Sequence, residues 1–419
     1  MNGDAAIRLQ VARQIAHWRS AVTSLEDLEN FASKAAWASL ERYLGLSIRR
    51  RLEESVDRLR READALQADL RAADRLDELE RVRTRVVAFR RRYLRTETML
   101  DFYGDAVNTR TSPRLAALLC ACDRLATQSM QDVLGVLHQE VPPVLTYVDK
   151  GLGAAILRAG LRLWDAGSLS PAAVIKITRH NLYRPTALIH ETGHQVAHIF
   201  GWNQELAAAL ESRLPAPAGV GSAWASWASE VAADCFAFVH TGYASVVGLH
   251  DVLAGEQASV FRFPPGDPHP IAYIRVLLGV QMCIRFYGAG PWDELAGAWV
   301  RAHPLDGAPE EVKVLLERSA QLLPAIVDIC LRDPMRSFSG RPLVGLVDPG
   351  RVGPEALRRL SGEAGAALLT SPYWLRKEGL RLMALSGYRA ATEPDRAAEI
   401  AREHEAWMLR LGTSIGKAA

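Results

Sequence analysis

Histidines 190 and 194 stand four residues apart with Glu191 between them, in the run PTALIHETGHQVAHIF at 185–200. On a helix, side chains at i and i+4 lie one turn apart on the same face, so the two imidazoles can converge on one metal ion. Glu191 then projects beside the same point, where a carboxylate can take a proton from a water that the metal has acidified. Zinc accepts neutral imidazole readily. The chemistry offered by these three residues is hydrolysis at a zinc ion.

The elements around the run must place it. Ala187, Leu188 and Ile189, then Val196, Ala197, Ile199 and Phe200, supply the apolar side of a buried helix, and Pro185 suits a first helical turn. His198, one turn beyond His194, is read as a packing or hydrogen-bonding residue and kept out of the ligand set. Just before the helix, PAAVIKITR at 171–179 has the β-branched content of a strand. Its expected place is either an open edge, on which an extended polypeptide could pair, or the completion of a small sheet.

Two histidines leave the coordination incomplete, since a catalytic zinc takes three protein ligands and keeps one open position. In WASEVAADCFAFVH at 227–240, Glu230 and Asp234 are four apart on what reads as a second buried helix, among Trp224, Trp227, Val231, Ala232, Phe236 and Phe238. An unpaired carboxylate in such surroundings is costly, and zinc gives Glu230 a reason to be there. Asp234 is then placed to accept the distal N–H of a liganding histidine, with His190 the leading partner, fixing its tautomer. Glu205 and Glu211 are the rivals as third ligand, less suited because their stretch runs into a Pro- and Gly-containing loop at 215–221. The connection 211–224 reads as a surface excursion near the cleft or a plain connector, and Trp224 and Trp227 as pocket lining or core.

The HExxH run followed by a helical ExxxD resembles the gluzincin group of zinc metallopeptidases, whose third ligand is a glutamate. DPHPIAYIR at 267–275 is similar to the His-Pro and arginine element that follows the glutamate helix in the HtpX type of membrane-associated peptidases. The likeness spans about 172–290 and implies a zincin-like core with Zn2+ as cofactor. It makes His190, His194 and Glu230 the metal ligands, Glu191 the general base and Asp234 the helix-mate, and puts His269 and Arg275 near the active site. For the oxyanion, His269 is the first candidate, with Tyr243, Tyr273 and Arg275 behind it. The implied function is a zinc-dependent endopeptidase that hydrolyses peptide bonds of a protein substrate with metal-activated water. The alternative is a non-catalytic zinc-containing structural or interaction protein acting through its helical module. Glu191 separates the two, since structural zinc needs no general base.

The 419 residues are 49% apolar and 23% charged with a formal net charge of +2, which demands neither nucleic acid nor an anionic membrane. From about 47 to 103, Leu52, Val56, Leu59, Ala63, Leu66, Leu70 and Ala73 step by four and three, a rhythm that resumes at Val82, Val86, Phe89, Tyr93 and Leu100. That is a coiled-coil seam, on one long bent helix or a hairpin. The Arg runs at 49–51 and 90–92 are interleaved with acidic residues, as on a solvated or partner-facing helix, so no clear nucleic-acid site is expected. Such a module could hold a protein partner or self-associate. Five cysteines without metal-knuckle spacing, no secretory leader and no long apolar span point to a cytoplasmic protein. The expected architecture is mainly α with a small β-sheet (α+β): an N-terminal helical module at 1–110, a zincin-like domain at 111–332 and a helical extension at 333–419.

Overall fold

Apolar residues recurring every three and four positions make most of the chain helical, and the runs of β-branched residues near its middle make one small sheet. The computed structural model describes residues 3–150, 154–157, 172–183, 185–214 and 219–413. Its contacts divide the chain into two compact units, Met1–Ser112 with Leu157–Val174, and Pro113–Ile156 with Ile175–Ala419.

The first unit contains helices α1 (Gly3–Glu26), α2 (Lys34–Leu44), α3 (Ile48–Ala72) and α4 (Leu76–Thr109). The seam from Leu52 to Ala73 is buried and is answered by Val82, Val86, Phe89, Tyr93 and Leu100 on α4, with Val11, Ile15, Val22 and Leu25 of α1 also buried. A short turn after Ala72 makes α3 and α4 a hairpin rather than one long helix. The ion pairs Arg85 with Asp69 and Arg92 with Glu62 climb one helix as they descend the other, which fixes the hairpin as antiparallel. Helix α1 ends at Glu26, after which the Asp27 side chain accepts from Glu29 N and the Ser33 side chain caps α2 at Ala36 N.

After α5 (Pro113–Leu134), which opens the second unit, the chain forms strands β1 (Val144–Val148), β2 (Ala155–Leu157) and β3 (Ala173–Ile177), arranged in the order β1-β3-β2. The strand preceding the HETGH helix is therefore the middle one and offers no open edge. Its sequence agrees with that place, since Ala173, Val174, Ile175 and Ile177 are all fully buried and an interior strand is covered on both faces. The Gly- and Ala-rich composition of 151–164 favours a helix, but 155–157 pairs as β2; the remainder, apart from Ala154, lies outside the described residues. Pairing with β3 overrides the local helical preference of a Gly- and Ala-rich stretch.

There follow α6 (Thr186–Phe200), α7 (Trp202–Arg213), α8 (Val220–Ser226), α9 (Ala228–Thr241), α10 (Tyr243–Leu253), α11 (Gln257–Val260), α12 (Ala272–Tyr287), α13 (Pro291–Ala302) and α14 (Glu310–Leu331). The chain closes with α15 (Leu343–Leu346), α16 (Pro354–Ala364), α17 (Pro372–Lys377), α18 (Gly379–Thr392) and α19 (Ala397–Thr413). Trp224 and Trp227 are fully buried core, with Trp224 Nε1 donating to Ser319 Oγ at 3.0 Å; residues 215–218 of the preceding loop lie outside the described residues. No helix among the described residues is long and apolar enough to cross a membrane.

Helix α6 is held between two neighbours. On one side Thr192 Oγ1 meets Ser129 Oγ of α5 at 2.9 Å. On the other, α6 presses on α9 at Gly193, where an added Cβ would stand 2.9 Å from both Ala233 Cα and Phe236 Cβ. Two of the three nearest atoms are backbone, so no rotamer change could relieve the clash. Gly193→Ala must therefore push the two helices apart. We expect a net loss of stability: overpacking costs about 1–3 kcal/mol, more than the ~1 kcal/mol that alanine gains in helix propensity. Thermal denaturation checks this, and a rise in Tm would refute it.

Candidate metal centre

The α6–α9 contact brings two pairs of residues face to face. His190 and His194 share one face of α6, and Glu230 and Asp234 share one face of α9. His190 Nε2 lies 3.3 Å from Glu230 Oε2, and His194 Nε2 lies 3.2 Å from Glu230 Oε1. Two ligands about 2.0–2.1 Å from a tetrahedral zinc are separated by about 3.3 Å. The three donor atoms lie within 4.8 Å of one another, the only such group of metal-capable side chains among the described residues. His190, His194 and Glu230 therefore fit zinc in donor type, number and spacing.

Around them sits a set of groups that fix each ligand. His190 Nδ1 donates to Asp234 Oδ1 at 2.9 Å, which leaves Nε2 directed at the cluster. Arg275, on α12 and only 4% exposed, donates through Nε and Nη2 to Asp234 at 2.7 and 2.9 Å, and through Nη2 to Glu230 Oε2 at 3.1 Å. Burial opposes ionisation of Glu230, but hydrogen bonds from His190 and His194 and the charge of Arg275 outweigh it and hold the carboxyl below its usual range. Burial likewise opposes a charged Asp234, and Arg275 and His190 reverse the effect. Burial would lower the His190 pKa, yet its bonds to Asp234 and Glu230 push it up to about 10. The two carboxylates thus attract positive charge to the face where the ligands meet.

The cluster stands in a cleft of about 600 Å³, lined at the metal site by His190, Glu191, Glu230, Asp234, His269 and Arg275. Helix α10 supplies one wall through Val246, Leu249, Val252 and Leu253, and Met282 of α12 adds to it. Ala154, ahead of β2, and His180 and Asn181, after β3, contribute the rim on the sheet side.

The expected residues do not all gather there. Glu191 is on the cleft, buried beside His190. His269 is half-exposed and reaches the site, with Nε2 3.5 Å from Glu230 Oε2. Arg275 also lines the cleft, but its guanidinium is engaged by the two carboxylates, which makes it an anchor for them. Tyr243 lies elsewhere: its ring packs on Trp292 and Tyr388 with centroids 5.4 and 6.3 Å away, and its hydroxyl donates to Pro291 O at 3.5 Å. Tyr273 is buried against Phe261 and is likewise not part of the lining. Glu205 is occupied at the 336–338 turn, accepting from Arg336 N and Ser337 N at 2.7 Å each, and so is no rival ligand.

Sequence reasoning missed Asp267, which accepts from His269 N at 3.0 Å and from His269 Nδ1 at 2.7 Å and so aims the ring's Nε2 at the site. The spacing Asp-Pro-His was a signal for it, since an aspartate commonly bonds the backbone two residues on. It also missed Asn181, His180 and the α10 wall, for which local sequence carries no mark.

No family model matches the chain, and no curated protein or solved structure is similar to it. The His190, His194 and Glu230 cluster itself matches the gluzincin arrangement of ligands, the site of a zinc metallopeptidase.

Four substitutions test this geometry. His190→Ala and Glu230→Ala should each lose stoichiometric zinc, measured per chain by elemental analysis on protein that keeps its helical circular dichroism. Asp234→Ala should retain one site but bind zinc about 10- to 100-fold more weakly in chelator competition, as expected when a partner of a liganding histidine is removed. Arg275→Met strands two buried carboxylates and should cost about 3–5 kcal/mol in denaturant unfolding of the metal-free protein.

Proposed function

We propose that the protein is a zinc-dependent endopeptidase acting on polypeptide substrates. The observation that carries the reading is the openness of the metal site: His190, Glu191 and Glu230 line a cleft large enough for a length of peptide. Structural zinc sites are closed by four protein ligands, whereas catalytic ones keep a position for water or substrate.

His190, His194 and Glu230 would hold the ion, and Asp234 and Arg275 would hold the ligands. Zinc, when bound, supplies Lewis acidity that makes a water nucleophilic at neutral pH and polarises the scissile carbonyl. Glu191 takes the proton of the attacking water on its carboxylate and delivers it to the departing amine. His269, held by Asp267 through Nδ1, would in its doubly protonated form donate from Nε2 to the oxyanion that develops on the carbonyl oxygen.

Substrate backbone and side chains have separate places. With β3 in the middle of the sheet, β2 is a short edge strand, and Ala154 just before it lies on the cleft. An extended peptide can add to that edge by main-chain hydrogen bonds. The apolar α10 wall, with Val246, Leu249, Leu253 and Met282, favours large aliphatic or aromatic side chains next to the scissile bond.

The N-terminal unit is the candidate for partner binding or self-association. Leu76, Val87 and Leu94 on α4 are 46%, 48% and 40% exposed. Their spacing aligns them within about 20° on one helix face. None of the five cysteines is in a disulfide, which suits a reducing compartment such as the cytoplasm.

Glu191→Gln is the decisive variant. It should keep one zinc per chain and an unchanged Tm while losing about 10²- to 10⁴-fold in kcat on a casein substrate, the range that general acid–base groups contribute. Undiminished hydrolysis by this variant, or absent hydrolysis by zinc-loaded wild type, would sink the endopeptidase reading.

A further inference from the structure

One polar atom at the cleft has no partner among the described residues. Asn181 lies in the 3-10 turn His180–Tyr183 between β3 and α6, where its main-chain N–H donates to Thr178 O at 3.0 Å. The turn is pinned again by Thr178 Oγ1 and His180 Nε2, 3.2 Å apart. The Asn181 side chain is 8% exposed and lines the cleft. Its amide nitrogen Nδ2 is buried without a hydrogen-bond partner.

Burying an N–H without an acceptor forfeits its bonds to water, which is why native proteins leave few such groups. Other unpaired buried atoms here, such as Trp202 Nε1 and Trp227 Nε1, belong to residues of the core. Among the described residues, Asn181 is the only one with such an atom that lines the cleft. A donor kept unsatisfied at that rim is matched only when an acceptor arrives from outside the fold.

We propose that Asn181 is a substrate-positioning residue, whose Nδ2 donates to a main-chain carbonyl oxygen of the polypeptide on the sheet side of the metal ligands. The inference rests on the endopeptidase reading and adds to it the point at which the substrate backbone is gripped. The acceptor is assigned as a neutral carbonyl because the cleft already carries Glu191, Glu230, Asp234 and Asp251 against Arg275. A polypeptide presents such a carbonyl at every residue, so the grip selects for extended backbone and not for a particular side chain. The last torsion of an asparagine is soft. The amide can therefore turn from its sealed position towards an entering carbonyl while the pinned turn keeps its origin fixed.

This role has an energetic signature that a structural asparagine lacks. A residue held in an unsatisfied state for binding lowers the stability of the free protein and raises affinity, so removing it should move the two in opposite directions. Asn181→Leu keeps the approximate volume without the polar atoms, and Asn181→Asp keeps the shape but removes the donor. Each is measured for zinc content, Tm, and KM and kcat on fluorescein-labelled casein. Each is also combined with Glu191→Gln to measure binding of the same casein without turnover.

The expected result for Asn181→Leu is one zinc per chain, a Tm equal to or above that of wild type, and a KM raised about tenfold with kcat little changed, the pattern of lost ground-state binding. Asn181→Asp should show the same rise in KM, since the missing donor and not the volume is responsible. A lowered Tm with unchanged KM makes Asn181 structural and overturns the proposal, as does unchanged KM in both variants. If wild type binds but does not cleave casein, the endopeptidase reading fails alone: weaker casein binding by Asn181→Leu in the Glu191→Gln background still supports the grip. Equal binding, or none by either protein, overturns it.

Discussion

How closely α6 and α9 approach determines everything at the metal site. Each helix carries two potential ligand or support groups spaced by one turn, and neither pair is useful unless the other lies within a few ångströms. Packed helices are usually 8–10 Å apart, and the small end of that range needs small residues at the contact. Gly193 and Ala233 provide them, with Phe236 closing against the glycine from the next turn. The HETGH run thus contains its own spacer: the residue immediately before His194 is the one whose lack of a side chain lets His194 reach Glu230. Ser129 and Thr192 meet at 2.9 Å on the opposite side of α6, so the histidines cannot retreat from α9 without driving Thr192 into α5.

Electrostatics then decides what the gap can contain. Glu191, Glu230 and Asp234 are buried carboxylates and Arg275 is a buried cation. Bonds from His190 and Arg275 favour the ionised forms of Glu230 and Asp234 in spite of burial, so the face between the two helices attracts a cation. A buried ion pair with one member missing is strongly unfavourable, so the uncompensated charge must be met. Without the metal the site meets part of it with a proton, which is the meaning of the raised His190 pKa. A divalent cation coordinated by neutral imidazoles completes the balance and replaces that proton. Arg275 is needed in either state, because its guanidinium bonds both carboxylates, sharing Asp234 Oδ1 and Glu230 Oε2 with His190 and holding Asp234 Oδ2 as well.

Much of this was legible in the sequence because it depends on spacing within one helix. The i, i+4 pairs at 190 and 194 and at 230 and 234, the apolar seam from Leu52 to Ala73 and the strand within 171–179 all follow from local pattern. What was not legible depends on which element lies beside which. The strand before α6 is central and not an edge because β2, formed by only three residues, folds back beside it. Tyr243 begins a helix that walls the cleft, yet its own ring turns away towards Trp292 and Tyr388, a choice of helix face that no local pattern encodes. The seam continued past the α3–α4 turn in nearly the same rhythm, so periodicity alone could not tell a hairpin from a bent rod. The ion pairs whose numbering runs in opposite directions settle it.

The three ligands differ in how they meet the cleft. His190 and Glu230 line it, whereas His194 is buried behind them, against α9, and does not. An ion held by these three would have protein on the His194 side and space on the side shared by His190, Glu191 and Glu230. Glu191 lies on that open side because it follows His190 by one residue, about 100° around the helix. If the run had been placed with the opposite rotation, the same three ligands could still converge, but Glu191 would face the core and the site would serve only to brace the fold. Rotation of α6 about its axis is fixed by Gly193 towards α9 and Thr192 towards α5. Two adjacent residues without metal-binding chemistry therefore decide that Glu191 lines the cleft.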